Sequence, residues 1–293
     1  FRNILIKFFM KYNTDISYSK SKFSLIKYDK KIFIKKKPLK IDKREFQSII
    51  KQNNFKSFYV DKYLVQSAKI IYDKNFIKEN KSYLVEFANG KNGEEILLSG
   101  NREEVNILNN FYFKYFFKEN KLKNITLRSK KKIIQKIKII KKNIKIKKID
   151  PIFNFIKTLL KKKLYTYSHT TCHGDFTLSN IIIDIKSKKI TLIDFQSTYE
   201  DNVLQDLSKM YQEFTLNWTS RKFNDINRLR SAIVYQSIIN NNFWKKINKK
   251  MKNSLKLEFT MTILRIIPYI DEKDNKTINW IFKSFDTINK FRL

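Results

Sequence analysis

Two hydrophobic rhythms divide the chain. Over the first ninety residues, short apolar runs alternate with lysine, as strands do. Lys22–Asp29 (KFSLIKYD) and Lys31–Lys37 (KIFIKKK) predict two strands joined at Asp29-Lys30. Ser67–Asp73 and Ser82–Phe87 predict two more, the second ended by the turn signal Asn89-Gly90. Between these pairs, Ile41–Gln52 places Phe46, Ile49 and Ile50 on one helical stripe, and Asp42 with Glu45 has the spacing of a capping box. From Asn101 onward the period is helical. Glu103–Phe117 is rich in aromatics, and Ser129–Lys148 carries Ile133, Ile134, Ile137, Ile140 and Ile144 at helical spacing. Pro151 opens a further helix, Ile152–Lys163. In Asp201–Phe214 the stripe is Val203, Leu204, Leu207, Met210, Tyr211 and Phe214. Asn224–Leu293 predicts several helices carrying Trp244 and Trp280, one of them interrupted at Pro268. The result is an α+β chain, divided at the turn into residues 1–90 and 91–293.

One strand pair falls within the helical part and organises it. Ile181–Ile185 and Lys189–Ile193 are apolar runs separated by Lys186-Ser187-Lys188, which predicts a hairpin. A turn centred on Ser187 sets Asn180 opposite Asp194, and such facing residues have Cα atoms roughly 4.5–5.5 Å apart. An amide and a carboxylate so placed are oxygen ligands for a hard cation, with phosphate and water completing an octahedron. Asp175 precedes Asn180 in the loop that enters the hairpin, close enough to take a proton.

His173-Gly174-Asp175, Asn180 and Ile193-Asp194-Phe195 together resemble the catalytic core of the kinase-like small-molecule phosphotransferases, the aminoglycoside phosphotransferase and choline kinase group. The resemblance implies a two-lobed protein-kinase-like fold with a small antiparallel-sheet N-lobe and a larger, mostly helical C-lobe. It implies ATP or GTP as phosphoryl donor with Mg2+, Asp175 as catalytic base beside His173, and Asn180 and Asp194 as metal ligands. Asp206 becomes a buried carboxylate that braces the catalytic loop. The family also places a lysine on the second strand to grip phosphates. Lys35 is the candidate and Lys36, on the opposite face, the alternative, since strand alternation does not say which face is inner. Glu45 is the acid available to pair with that lysine, although its spacing also fits the cap. Glu86, Phe87 and Ala88, in YLVEFANG, resemble the segment between lobes whose backbone reads the base. The phosphate-covering loop, Ser17–Lys22 (SYSKSK), departs from many kinases in having no glycine.

Composition adjusts this picture only in part. Lys+Arg number 62 against 27 Asp+Glu, a formal charge of +35. Such an excess invites a polyanion-binding function, but lysine is spread along the chain instead of clustered, as in a Lys-, Ile- and Asn-rich coding bias. No specific nucleic acid is expected. The single cysteine, Cys172, forbids an intrachain disulfide and fits a reducing cytoplasm. No run approaches the roughly 18 apolar residues of a membrane span, though the basic amphipathic stretch 129–148 allows peripheral membrane contact. The helices after Asp206 carry many lysines, as in Ser220–Arg230, which suits a neutral or anionic acceptor better than an aminoglycoside. HGDFTLSN and IDFQSTYEDNVLQDLSKMYQ look most like bacterial phosphotransferase-family proteins linked to surface-polysaccharide biosynthesis, implying a sugar or polysaccharide intermediate as acceptor. Choline or another amino alcohol is the alternative, with Trp218 available for cation–π contact. A pseudokinase, or a polyanion binder without turnover, is the alternative of another class.

Overall fold

The computed structural model describes residues 21–28, 31–38, 42–72, 82–117, 122, 124–144, 149–167, 172–239, 242–271 and 273–293. The expected turn at Asp29-Lys30 and residues 17–20 of the expected phosphate-covering loop lie outside them. Strands β1 (Lys22–Tyr28) and β2 (Lys31–Lys37) pair antiparallel; β6 (Tyr83–Glu86) adds to β2 and the short β5 (Ile70–Ile71) to β6. Helix α1 (Lys43–Asn53) lies against this sheet through Ile49, which packs with Ile70 and Tyr83. The helix begins at Asp42, whose carboxylate accepts from Arg44 N–H and Glu45 N–H.

The second sheet contains strands that the apolar pattern did not reveal. Phe58–Val60 (β3) and Tyr63–Ser67 (β4) form a hairpin, and β4 runs parallel to β11 (Lys189–Leu192). β11 pairs with β10 (Ile181–Asp184), and β10 pairs with Lys91–Asn92 (β7) just after the Gly90 turn. Residues 58–67 therefore share a sheet with the catalytic hairpin although they precede Gly90. Gly90 has φ +121°, and a Cβ there would lie 2.3 Å from Ile183 O, so only glycine permits this approach.

Helices enclose that sheet: α2 (Gly93–Ser99), α3 (Arg102–Phe117), α4 (Lys131–Lys142), α5 (Asp150–Leu160), α6 (Val203–Phe214), α7 (Asp225–Ile238), α8 (Asn242–Lys245), α9 (Lys252–Leu264) and α10 (Asn275–Lys290). A two-stranded ribbon, Ile125–Leu127 (β8) with Tyr165–Tyr167 (β9), completes the larger part. The molecule is thus α+β, with an antiparallel sheet first and helices after. On α4, Ile133 and Ile140 are buried and Ile137 packs on the core, whereas Ile134 is exposed. Pro268 stands in a 3-10 turn after α9 has ended at Leu264, so it follows a helix instead of breaking one. Among the described residues, no helix is long and apolar enough to cross a membrane.

The core fixes the catalytic loop from behind. Phe176 is fully buried among Phe111, Tyr112, Tyr115 and Phe116 of α3, stacked on Tyr115 with ring centroids 4.3 Å apart. Burying such a ring contributes about 1.5–3 kcal/mol and ties the neighbouring Asp175 to the core. Helix α6 is held from its far side, where Tyr211 stacks on Phe259 of α9.

Candidate active site

The hairpin register differs from the expected one by a single position. Ile181 faces Leu192 and Asp184 faces Lys189, so Asn180 stands opposite Ile193, whose N–H bonds Asn180 O at 3.1 Å. The turn sets this register. Asp184 accepts from Lys186 N–H and Ser187 N–H, and Lys188 takes a left-handed φ of +53°. Asp194 is still brought to the site, because its own left-handed φ of +57° turns the chain at the end of β11.

The loop before the hairpin and the segment after it are laced together. Gln196 N–H donates to His173 O at 2.9 Å, His173 Nε2 to Ile193 O at 2.8 Å, and Asp175 N–H to His173 Nδ1 at 3.2 Å. His173 is fully buried, and burial lowers its pKa despite the nearby carboxylates. A neutral ring that donates at one nitrogen and accepts at the other is a scaffold for Asp175. Gly174, at φ +90°, lets the loop lie on Gln196 O, which a Cβ would approach to 2.2 Å.

Asp206 sits in the first turn of α6 and is fully buried. Its carboxylate accepts from His173 N–H (2.7 Å), Gly174 N–H (2.8 Å) and the Tyr115 hydroxyl (2.7 Å). Bonds to a charged acceptor contribute roughly 1.5–3 kcal/mol each. Asn180, in the 3-10 turn Leu178–Asn180, donates its amide to Asp175 O at 2.8 Å and more weakly to Asp175 Oδ2 at 3.4 Å. An amide oriented this way presents Oδ1 on its opposite side, as a cation ligand must.

Lys36, not Lys35, is the lysine on the cleft side of β2. Its ammonium lies 2.6 Å from Asp194 Oδ1 and 3.8 Å from Glu45 Oε1. Burial is the largest influence and lowers its pKa, but Asp194, Tyr83 and Glu45 outweigh it and the net shift is upward. Lys35 points to the other face by strand alternation. Glu45 does not close the cap onto Asp42; it turns to Lys36 and accepts from the Tyr83 hydroxyl. The expected base-reading segment is also partly committed elsewhere. Glu86 N–H donates to Lys69 O and Phe87 N–H to Ile32 O.

Three features had no place in the reading of motifs. Helix α1 is stapled to the segment after Asp194: Phe195 N–H bonds Gln52, Ser197 N–H bonds Ser48, and Lys51 bonds Gln196 O at 2.8 Å and Asp201 at 2.7 Å. Arg128, its side chain fully buried, is clamped between Glu200 and Glu258. Lys209 ion-pairs with Asp175 Oδ1 at 2.9 Å. Its signal was present, since it follows Asp206 by three positions on one helix face, but lysine is too common in this chain for one to stand out. Burial is the largest influence on Asp175 and raises its pKa, yet Lys209, His173 and Arg265 outweigh it and hold the carboxyl below its ordinary value. Cys172 is buried, and burial pushes its thiol up to about 12, which makes it an inert neighbour of the loop. The face of Trp218 is covered by Arg221, whose guanidinium lies 3.4 Å from the ring centroid.

The fold, and the sequence around the hairpin, are similar to those of the kinase-like small-molecule phosphotransferases. Residues 143–231, which hold the catalytic loop, the hairpin and α6, match the model of the phosphotransferase enzyme family. The choline kinase LicA from Streptococcus pneumoniae shares the fold, with TM-score 0.52 and 13% identity over 99% of each chain. An ethanolamine kinase from Plasmodium vivax aligns with TM-score 0.43 and 14% identity over 97% of this chain and 86% of that one. No curated protein matches the chain.

Proposed function

We propose that the protein transfers a phosphoryl group from ATP to a hydroxyl of a small molecule, with Asp175 as base and Asn180 and Asp194 as metal ligands. The observation that supports this most is the lacing of residues 173–180 to residues 193–196, which holds all three side chains in one patch beside Lys36. The donor set suits Mg2+. Among the described residues no group of three or more acidic, histidine or cysteine side chains could hold an ion unaided, and magnesium is usually bound by one or two protein oxygens plus phosphates and water. When bound, the ion would offset charge that develops during transfer. Lys36 would hold phosphate oxygens while Glu45 keeps its ammonium directed into the cleft. Asp175, ionised and fixed by Gln196, Asn180 and Lys209, would orient the acceptor hydroxyl and receive its proton. Ala88 would read the base edge through its backbone. This division of labour makes residues 1–90 a nucleotide-covering lobe and residues 91–293 the catalytic and acceptor lobe.

The acceptor we favour is a sugar or surface-polysaccharide intermediate, since the side chains bonded to Asp175 are Gln196, Asn180 and Lys209 instead of acids. A second reading, an amino alcohol such as choline, is favoured by Glu213. That residue follows Lys209 by one turn on α6 and is fully buried, with no ion-pair partner among the described residues. Burial pushes its pKa up to about 7, and an ammonium group beside it would restore its charge. Sugars, sugar phosphates, choline and ethanolamine, each supplied with ATP and Mg2+ and scored by ADP release, separate the two readings. Asp175→Asn should lower turnover with the best acceptor by roughly 10²–10⁴-fold. Undiminished turnover in that variant would remove the mechanism.

A further inference from the structure

Helix α6 meets the catalytic loop at two points, and only the first has a role so far. Asp206 holds the backbone of His173 and Gly174. Lys209, one turn later on the same face, holds the side chain of Asp175. Every other residue of α6 is buried, so Lys209 is the single partly open position on a helix that is otherwise core. Its ammonium is 2.9 Å from Asp175 Oδ1, and the two side chains are 15% and 20% exposed. The other oxygen, Oδ2, receives Gln196 Nε2 at 3.2 Å and Asn180 Nδ2 at 3.4 Å. Three donors from three separate segments thus fix both oxygens, and the carboxylate cannot turn without losing one.

A half-buried ion pair of this kind is a weak source of stability, because desolvation offsets much of the attraction. Its effect on geometry is larger. Misplacing a reacting group by about 1 Å can cost on the order of 10²-fold in rate. We infer that Lys209 is a positioning residue for phosphoryl transfer: it sets the plane of the Asp175 carboxylate so that one oxygen meets the acceptor hydroxyl in line. The inference rests on the reading of Asp175 as base. It also explains why a helix with an apolar face and a buried far end keeps one long cation pointing at the loop.

The test compares Lys209→Met, Lys209→Arg, Asp175→Asn and the double variant, following ADP release from ATP and Mg2+ with water and with the best hydroxyl acceptor. Lys209→Met should lower kcat by about 10–100-fold, with KM for ATP within about twofold of the parent. Lys209→Arg should recover most of the loss, since it keeps a donor to Oδ1. In the Asp175→Asn background, removal of Lys209 should cost less than about twofold, because the two act as one unit. Lys209→Gln serves in the same way if the Met variant does not fold. Parental kcat in Lys209→Met, or an equal loss with and without Asp175, overturns the positioning role while leaving the base intact. Full activity in Asp175→Asn alone instead overturns the reading of the base, and the role of Lys209 falls with it.

Discussion

The two sides of Asp175 are built in opposite ways. On the proposed nucleotide side the buried charges are matched by the contacts of Lys36 with Asp194 and Glu45, of Glu45 with Tyr83, and of Asp206 with two backbone amides and Tyr115. On the proposed acceptor side, along the rest of α6, Glu213 is buried with no ion-pair partner, and Gln212 Oε1 and the Tyr112 hydroxyl have no hydrogen-bond partner, among the described residues. A matched network of charges holds geometry, which the proposed phosphate and metal site would require whatever molecule is phosphorylated. Unmatched buried groups weaken the fold and are kept where they discriminate between ligands. In the proposed reaction the chemistry would therefore be written on one side of Asp175 and the choice of acceptor on the other.

The nucleotide side offers the largest single-residue contrast. Lys36→Met should raise KM for ATP by about 10–100-fold, as loss of a charged hydrogen bond of about 1.5–3 kcal/mol requires. Lys35→Met, one position away on the opposite face, should change it less than about twofold. Equal effects would mean that β2 presents a different face to the cleft, and the matched network would lose its centre.

A smaller effect is expected on the acceptor side, in stability. The pKa of Glu213 is raised from the ordinary 4.5 to about 7, first by burial and then by Glu94, with Thr219, Lys209 and Arg221 opposing. The folded protein thus binds a proton that the unfolded chain releases between those two values. Stability falls as pH rises through this window, and the loss is complete above about pH 7. Glu213→Gln should flatten that slope and raise stability at pH 8 by about 2–3 kcal/mol in urea melts. An unchanged slope would show that Glu213 is matched after all and would erase the contrast between the two sides.

What the sequence disclosed follows the same division. Asp175, Asn180, Asp194 and Asp206 were legible because a hairpin and the first turn of a helix fix their separations, whatever surrounds them. The choice between Lys35 and Lys36 was not, since alternation orders a strand without saying which side faces inward. The register slipped by one because the turn is governed by Asp184 and by a left-handed Lys188, a conformation that no sequence rule assigns to lysine. Local spacing offers Glu45 both a cap and a lysine partner, and only the tertiary fold decides between them, in favour of Lys36. The strands 58–60 and 63–67 carry little sequence signal because they are short and only partly alternating. Lys209 and Glu213 belong to α6, whose stripe showed where the core lies but not which polar residues it would enclose.

The central claim is that Asn180 and Asp194 jointly hold a divalent ion on a nucleotide's phosphates. It is tested most directly without any acceptor, by electron paramagnetic resonance of Mn2+ titrated into the protein with and without ADP. The parent should bind Mn2+ tightly only when ADP is present, and Asp194→Ala should weaken that binding by at least about tenfold. Equal Mn2+ binding by parent and Asp194→Ala in the presence of ADP would contradict the claim.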